Sequence, residues 1–311
     1  VHRGPERGEP VRFAGVDVGG TNIKAVVLGD IDGTPTVLHQ LQCRTVGTSA
    51  SEILQQVADT AAELKEVVGS VRGLGFSLPG AIDRRTGTAG VMPNLPGSWQ
   101  DLPVRAIVAH RCGLPTAVVN DARAFTLAES RLGAARGLAT VVGVTLGTGL
   151  GGGVTIDGLL HEGASGFAGE IGHQVLQVDG AMCGCGKRGC AETFVKTQVL
   201  LEATGCSTVR EVFTNAANGD KVATSAIDSY LTYLAITLAN VHTILCPDSF
   251  VIGGGIAAAG PQLFDPLLER TRALITFDHP GNVHLRPAEL GPMAGAIGAA
   301  LLAMDSLEPA H

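Results

Sequence analysis

Two stretches of this chain follow one plan, and few folds admit such a repeat. DVGGTNIKAVVLGDIDG (17–33) and TLGTGLGGGVTIDG (145–158) each read as a strand, a Gly-rich turn, a second strand and a closing Asp-Gly. An internal duplication constrains a fold more than any single motif does. Backbone N–H groups at the Gly19-Gly20 turn can approach phosphate oxygens closely, because glycine has no Cβ in the way. Two such hairpins facing each other across a cleft would clamp a polyphosphate chain from both sides. Asp17, at a strand end, is placed to hold Mg²⁺ through water. An ordinary Gly-rich hairpin would carry the same residues. Neither stretch is the G-x-x-x-x-G-K-[ST] loop or a G-x-G-x-x-G that opens a helix.

A second stretch, EIGHQVLQVDGAMCGCGKRGCAE (170–192), holds His173, Cys183, Cys185 and Cys190 between Glu170 and Glu192. One imidazole and three thiols make a Cys₃His set, a closed tetrahedral set that zinc takes in structural sites. Glycines 180, 184, 186 and 189 let the backbone fold tightly enough for the sulfurs to converge. The alternative is a disulfide with a spare thiol, but a Cys183–Cys185 ring would be very small and strained, and the chain shows no sign of export. A closed set leaves no open position for a metal-bound water, so the metal's expected task is to fix Glu170, His173 and Glu192. The second nitrogen of His173 is then expected to face a ligand hydroxyl.

At 311 residues the chain is long enough for two domains with real cores. Its 45% hydrophobic and 16% charged residues suit a compact fold, and a net charge of −7 without any basic run argues against nucleic acid. Of seven cysteines, Cys43, Cys112, Cys206 and Cys246 follow no pattern and read as buried thiols. The opening VHRGPERGEPVR lacks an apolar h-region and is expected to be a flexible N-terminus (1–11). No uninterrupted apolar stretch approaches the ~20 residues of a membrane span, so a cytoplasmic protein without a membrane partner is expected.

Between these stretches, Ser49 to Val68 reads as a helix opened by a Ser49/Glu52 capping box. VRGLGFSLPGAID (71–83) reads as a buried strand ending at Pro79-Gly80, and NLPGSWQDLP (94–103) as a loop that serves either binding or surface. Leu114 to Asp121 predicts a strand and Ala122 to Ala135 a helix. Asp121 either caps that helix or, at the rim of an α/β crevice, serves as a general base. Asp220 to Leu245 predicts a long helix with an apolar face that includes Val222, Leu231, Leu234 and Leu238, stopped by Pro247. FVIGGGIAAAG (250–260) reads as a strand, a triple-Gly turn against which a flat ring can lie, and the opening of a helix. MAGAIGAALLAM (293–304) reads as a closely packing helix.

Taken together, these residues resemble the ROK family (repressor, open reading frame, kinase). The match runs over about residues 12 to 305, and its most specific parts are GEIGH (169–173) and CGCGKRGCAE (183–192). The resemblance implies an α/β, two-domain actin-like ATPase (ribonuclease H-like) fold with an interdomain cleft and a structural zinc site. The expected domains are a small one, 12–120 with 293–311, and a large one, 121–292. It implies an ATP-dependent kinase for a hexose hydroxyl, with glucose as the expected acceptor. N-acetylmannosamine, mannose, fructose and a cyclitol are the alternatives. DVGGTNIKA (17–25) resembles the first phosphate motif, so Asp17, Gly19, Gly20 and Thr21 are implied there. TLGTGLGGG (145–153) resembles the second, implying phosphate turns over Gly147 to Gly153 that include Thr148 and Gly149. VIGGGIAAAG (251–260) resembles the adenosine motif, implying Gly253, Gly254 and Gly255. Asp121 is implied as catalytic base and sugar contact, with Gly80, Asn94, Asn120, Glu170, His173 and Glu192 as further sugar contacts. His173, Cys183, Cys185 and Cys190 are implied as zinc ligands, and ATP, Mg²⁺ and Zn²⁺ as cofactors. Members often form dimers or tetramers, so a homo-oligomer is expected. Ser98 between Gly97 and Trp99, and TFVKT after Glu192, depart from the usual pattern and leave the sugar open.

Two rivals are weighed against this. A sugar-responsive repressor needs a DNA-binding segment before the first phosphate motif, which here begins at Phe13. A zinc hydrolase needs an open coordination position, which a four-ligand set lacks.

Overall fold

The computed structural model describes residues 11–307, so the expected flexible N-terminus lies, Val11 apart, outside the described residues. The chain divides into two compact units. One comprises the residues up to Ala124 together with those from Pro292 onward, the other Phe125–Gly291.

The first unit opens with a three-strand meander, β1 (Arg12–Val18), β2 (Asn22–Ile31) and β3 (Thr34–Arg44). Asp32 and Gly33 both have positive φ, 52° and 81°. A two-residue hairpin turn demands that of its central residues to match the strand twist. The sequence reading did not anticipate β3, an edge strand whose largely exposed side chains give no apolar run. Helix α1 (Ala50–Val68) starts at Ser49, whose Oγ accepts from Glu52 N at 3.3 Å. The Glu52 carboxylate reaches back to Thr48 N at 2.7 Å rather than to the cap itself. Strand β4 (Gly73–Leu78) is wholly buried and runs parallel to β1. A small ladder of β5 (Ile82–Asp83) and β6 (Thr88–Ala89), helix α2 (Val104–Cys112) and strand β7 (Thr116–Asn120) follow. Val16, Ile23, Leu54, Phe76, Trp99 and Val108 lie in one apolar core.

Helix α3 (Asp121–Arg131) leads into the second unit and ends four residues before the expected Ala135. The buried Glu129 carboxylate accepts from Ala134 N at 2.9 Å, and a Cβ on Gly133 would lie 2.1 Å from its Oε2, so the backbone turns around this group. The same carboxylate accepts from Leu290 N at 2.9 Å and Glu289 N at 3.1 Å.

The second unit repeats the meander as β8 (Thr140–Leu146), β9 (Leu150–Ile156) and β10 (Leu159–Leu160). Asp157 and Gly158 close it with positive φ of 51° and 73°. Helices α4 (Glu192–Val195), α5 (Thr197–Thr204), α6 (Val209–Ala217) and α7 (Lys221–Leu245) come next. The 25-residue α7 is long and apolar enough, by length and composition, to cross a membrane. Here Tyr230, Leu231, Leu234 and Leu238 bury it in the unit's own core, with α5, α6 and the later helix Pro261–Ala273 around it. Val222, expected on the apolar face, is exposed in the helix's first turn. Strand β11 (Ser249–Gly253) is followed by a 3₁₀ turn (Gly255–Ala259), not by the expected helix opening. Helix α8 (Pro261–Ala273) starts after Gly260, with Pro261 in its first turn where a missing N–H costs nothing. Strand β12 (Leu285–Pro287) completes the unit.

Helix α9 (Ala294–Leu307) returns to the first unit. A Cβ on Gly15 would lie 2.0 Å from Ala296 O, and one on Gly75 1.7 Å from Ala299 O, so glycine lets this helix rest directly on β1 and β4. The two sheets have one topology, β3-β2-β1-β4-β7 and β10-β9-β8-β11-β12. β1 and β8 also share one burial pattern position by position. The repeat seen in sequence therefore extends to a whole five-stranded sheet.

Candidate functional site

In the first unit the Gly19–Thr21 turn is closed by Gly19 N donating to Asn22 O at 2.9 Å. Thr45 braces it from β3's end: its Oγ1 donates to Gly19 O at 2.7 Å and its N–H to Thr21 O at 3.0 Å. A Cβ on Gly20 would lie 3.0 Å from Asn94 O, so the loop holding Asn94 lies against the turn. That loop is anchored rather than free, since Trp99 is buried and its Nε1 donates to Pro96 O at 2.9 Å.

Asp17 sits one residue before the end of β1, with Ser77 beside it on β4 and Lys24 opposite on β2. Ser77 Oγ donates to Asp17 Oδ1 at 2.7 Å. A Cβ on Gly295 would come within 2.6 Å of the same carboxylate, so the start of α9 also closes on it. Burial pushes the Asp17 carboxyl above its usual range, while the Ser77 hydrogen bond and the Lys24 charge pull it down. A carboxylate held in place but short of compensating charge is suited to a hydrated cation. Ser77 was missed in the sequence, although a polar residue inside the wholly buried strand β4 was the available signal.

At the carboxyl end of β7, Asn120 and Asp121 differ in task. Asn120 Oδ1 accepts from Ala122 N at 3.0 Å and Arg123 N at 3.2 Å, which is the capping geometry of a helix start. Its Nδ2 donates to Gly80 O at 3.0 Å. Gly80 has φ 136°, and a Cβ there would lie 2.4 Å from Val91 O, so only glycine fits this turn. Asp121, whose Oδ1 accepts from Ala122 N at 2.8 Å, is the first residue of α3. Asn120, expected as a sugar contact, thus also caps the helix.

In the second unit the turn at Gly147–Gly149 is tied by Gly147 N to Gly149 O at 3.1 Å and by Thr197 N to Gly147 O at 2.8 Å, with Thr148 exposed. Gly151 to Gly153, expected in the phosphate turn, instead lie inside β9. They serve packing. A Cβ on Gly152 would lie 2.6 Å from Gly169 O, one on Gly169 2.9 Å from Gly153 Cα, and one on Gly172 2.1 Å from Leu150 O. The Gly-rich face of β9 therefore seats the 169–173 segment, backbone against backbone, and so fixes Glu170 and His173.

Glu192 opens α4 and joins two features. Its Oε2 accepts from Leu150 N at 3.1 Å, and its Oε1 lies 3.6 Å from Cys183 Sγ. The donor atoms of His173, Cys183, Cys185 and Cys190 lie within 4.8 Å of one another. Cys185 and Cys190 sulfurs are 3.6 Å apart, and His173 Nδ1 is 3.7 Å from Cys183 Sγ. A disulfide needs about 2.05 Å, whereas the edge of a tetrahedron with zinc–sulfur bonds of ~2.3 Å is about 3.8 Å. The set fits a tetrahedral thiophilic ion and not a disulfide. With Nδ1 turned to the sulfurs, Nε2 of His173 lies 3.9 Å from Glu170 Oε2, beyond a hydrogen bond. Finally, Gly254 has φ 91° and would place a Cβ 2.2 Å from Leu146 O; Gly254 and Gly255 leave exposed backbone at the end of β11, while Gly253 is covered by Phe125.

Duplicated sheets with Gly-rich turns after their first strands, and a carboxylate at the end of β7, define an α/β fold of the actin-like ATPase kind. The model of the ROK family matches residues 13–306, and the chain belongs to that family. A glucokinase of Thermotoga maritima is 31% identical over 96% of this chain and 98% of its own length. A ROK hexokinase of Thermus thermophilus superimposes with a TM-score of 0.84 at 34% identity, covering 96% of this chain and 99% of that one. A ROK glucokinase of Streptomyces griseus, solved with glucose and AMPPNP, gives 0.79 at 32% identity, covering 95% and 100%.

Proposed function

We propose that this chain is an ATP-dependent sugar kinase, and that it transfers a phosphoryl group from ATP to the 6-OH of glucose. The names of the Thermotoga and Thermus relatives and the ligands of the Streptomyces structure support this class and both substrates. The observation behind the chemistry is a carboxylate, Asp121, that follows Asn120 at the carboxyl end of β7.

Asp121 accepts the proton of the sugar hydroxyl as its oxygen attacks the terminal phosphorus and ADP departs. Glu170, His173, Glu192, Asn120, Asn94 and Gly80 are the residues assigned to the other hydroxyls. Carboxylates suit this, since each can accept from several hydroxyls at once. Backbone amides at Gly19, Gly20 and Thr21, and at Gly147, Thr148 and Gly149, hold phosphate oxygens, and Gly254 and Gly255, which follow the covered Gly253, give the nucleotide base a flat bed. Mg²⁺, when bound beside Asp17, neutralises phosphate charge. His173, Cys183, Cys185 and Cys190 hold Zn²⁺ as a structural ion, whose closed set keeps Glu192 and Glu170 in position. The first unit is the small domain and the second the large one. The protein works in the cytoplasm, where ATP is supplied, as a homo-oligomer without nucleic-acid or membrane partners.

ADP release with ATP and Mg²⁺ across hexoses, N-acetylhexosamines and cyclitols tests the proposal. A glucose signal abolished in Asp121→Asn supports it. A signal with another polyol alone replaces the substrate, and silence from folded, zinc-loaded protein across the panel overturns the kinase.

A further inference from the structure

Away from the residues above, three unlike metal-binding side chains converge at the end of α7. His242 lies in its last turn, Cys246 is its C-cap, and Asp278 comes from the segment after α8. His242 Nε2 is 2.9 Å from Asp278 Oδ2, Cys246 Sγ is 3.5 Å from the same oxygen, and Cys246 Sγ is 4.0 Å from His242 Nε2.

We infer that His242 Nε2, Cys246 Sγ and Asp278 Oδ2 form a second cation site, for a thiophilic divalent ion of the zinc class, with its fourth position open to solvent. Bonds of about 2.0 to 2.3 Å from a tetrahedral ion give ligand–ligand edges of about 3.3 to 3.6 Å. The Cys246–Asp278 separation falls in that range and the other two differ from it by roughly half an ångström, which small rotamer adjustments would close.

Two further features point the same way. Asp278 is already oriented: its Oδ1 accepts from Asn282 Nδ2 and from His279 N, both at 2.7 Å, which leaves Oδ2 turned toward the histidine and the thiol. Outer hydrogen bonds of this kind orient carboxylate ligands in metal sites. Cys246 has φ 43°, a left-handed conformation that glycine or asparagine usually takes at a helix end. A side chain held there against preference calls for a reason, and aiming the sulfur at Asp278 supplies one. His242 is 2% exposed, while Cys246 is exposed, so the ion would be anchored on one side and reachable from the other. Unlike the Cys₃His set, these three ligands leave a position for water or an incoming ligand, so the ion should exchange readily.

Cobalt titration of protein loaded with a single equivalent of zinc, which the Cys₃His set takes first, tests this, with released zinc followed in parallel. Wild type should develop thiolate-to-cobalt absorption that saturates at one equivalent without zinc release. Cys246→Ser should lose that absorption, and Asp278→Asn, which keeps the thiol, should bind cobalt at least tenfold more weakly. Circular dichroism confirms that both variants remain folded. Absence of the band in wild type, an equal band in Cys246→Ser, or a band that grows only as zinc is released would each overturn the assignment.

Discussion

Leu150 N donates to Glu192 Oε2 at 3.1 Å, while the other oxygen of that carboxylate lies 3.6 Å from Cys183 Sγ. One side chain thus braces the second Gly-rich turn against the cysteine cluster. Glu192→Ala frees the chain that carries Cys190 from Leu150, and should weaken metal retention by about 10- to 100-fold, the range for loss of a group that positions a ligand, and raise the sugar KM as well. Glu192→Gln keeps an oxygen for Leu150 N and should do less of both. Chelator-induced zinc loss measured alongside sugar KM checks the pair. Equal metal retention in all three proteins would remove the brace.

Asp121→Asn should lower kcat by roughly 10²- to 10⁴-fold, the usual contribution of a general base. The cap made by Asn120 remains, so the melting temperature should stay within a few degrees of wild type. A variant that melts far lower would mean that Asp121 mainly supports the helix.

At Asp17 the sign of the pH effect follows from burial. The folded state holds this proton more tightly than the unfolded chain, whose carboxyl titrates near ~3.9. Stability associated with Asp17 is therefore present at low pH and is lost as pH rises from there through the raised value. Asp17→Asn removes that loss and still accepts from Ser77. Without nucleotide or added cation, the variant should melt at the same or a higher temperature at neutral pH, yet turn over poorly. Thermal melts of both proteins across pH check it; a variant less stable at every pH would contradict the burial account.

Gly152→Ala separates packing from phosphate binding. The new Cβ would lie 2.6 Å from Gly169 O and from Ile171 Cγ1, so overpacking should cost about 1–3 kcal/mol. It should also raise the KM for sugar more than that for ATP, because the displaced segment carries Glu170 and His173. A selective rise in the ATP KM would return Gly152 to the phosphate turn.

Much of this was legible in the sequence because its signals are local. The Gly19-Gly20 and Gly147–Gly149 turns, the Ser49 cap and the Cys₃His spacing depend on neighbouring residues. What escaped depends on distant partners. Nothing near Ser77 announces that Asp17 stands beside it, and nothing near Gly152 announces the segment at 169–173. Asn120 and Asp121 were both legible as polar residues at a strand end, but which one caps is decided by rotamers. β3 lacked an apolar run, so only its pairing with β2 reveals it.

The return of α9 to β1 and β4 bears on how the chain is made. Synthesis proceeds from the N-terminus, and domains generally fold as their residues become available. The first sheet emerges early, but the helix that covers Gly15 and Gly75 emerges almost a whole chain later. The continuous second unit, Phe125–Gly291, can close while the first still waits with an apolar face open. A released chain that ends shortly before Ala294 would therefore hold a finished second unit and an unfinished first one.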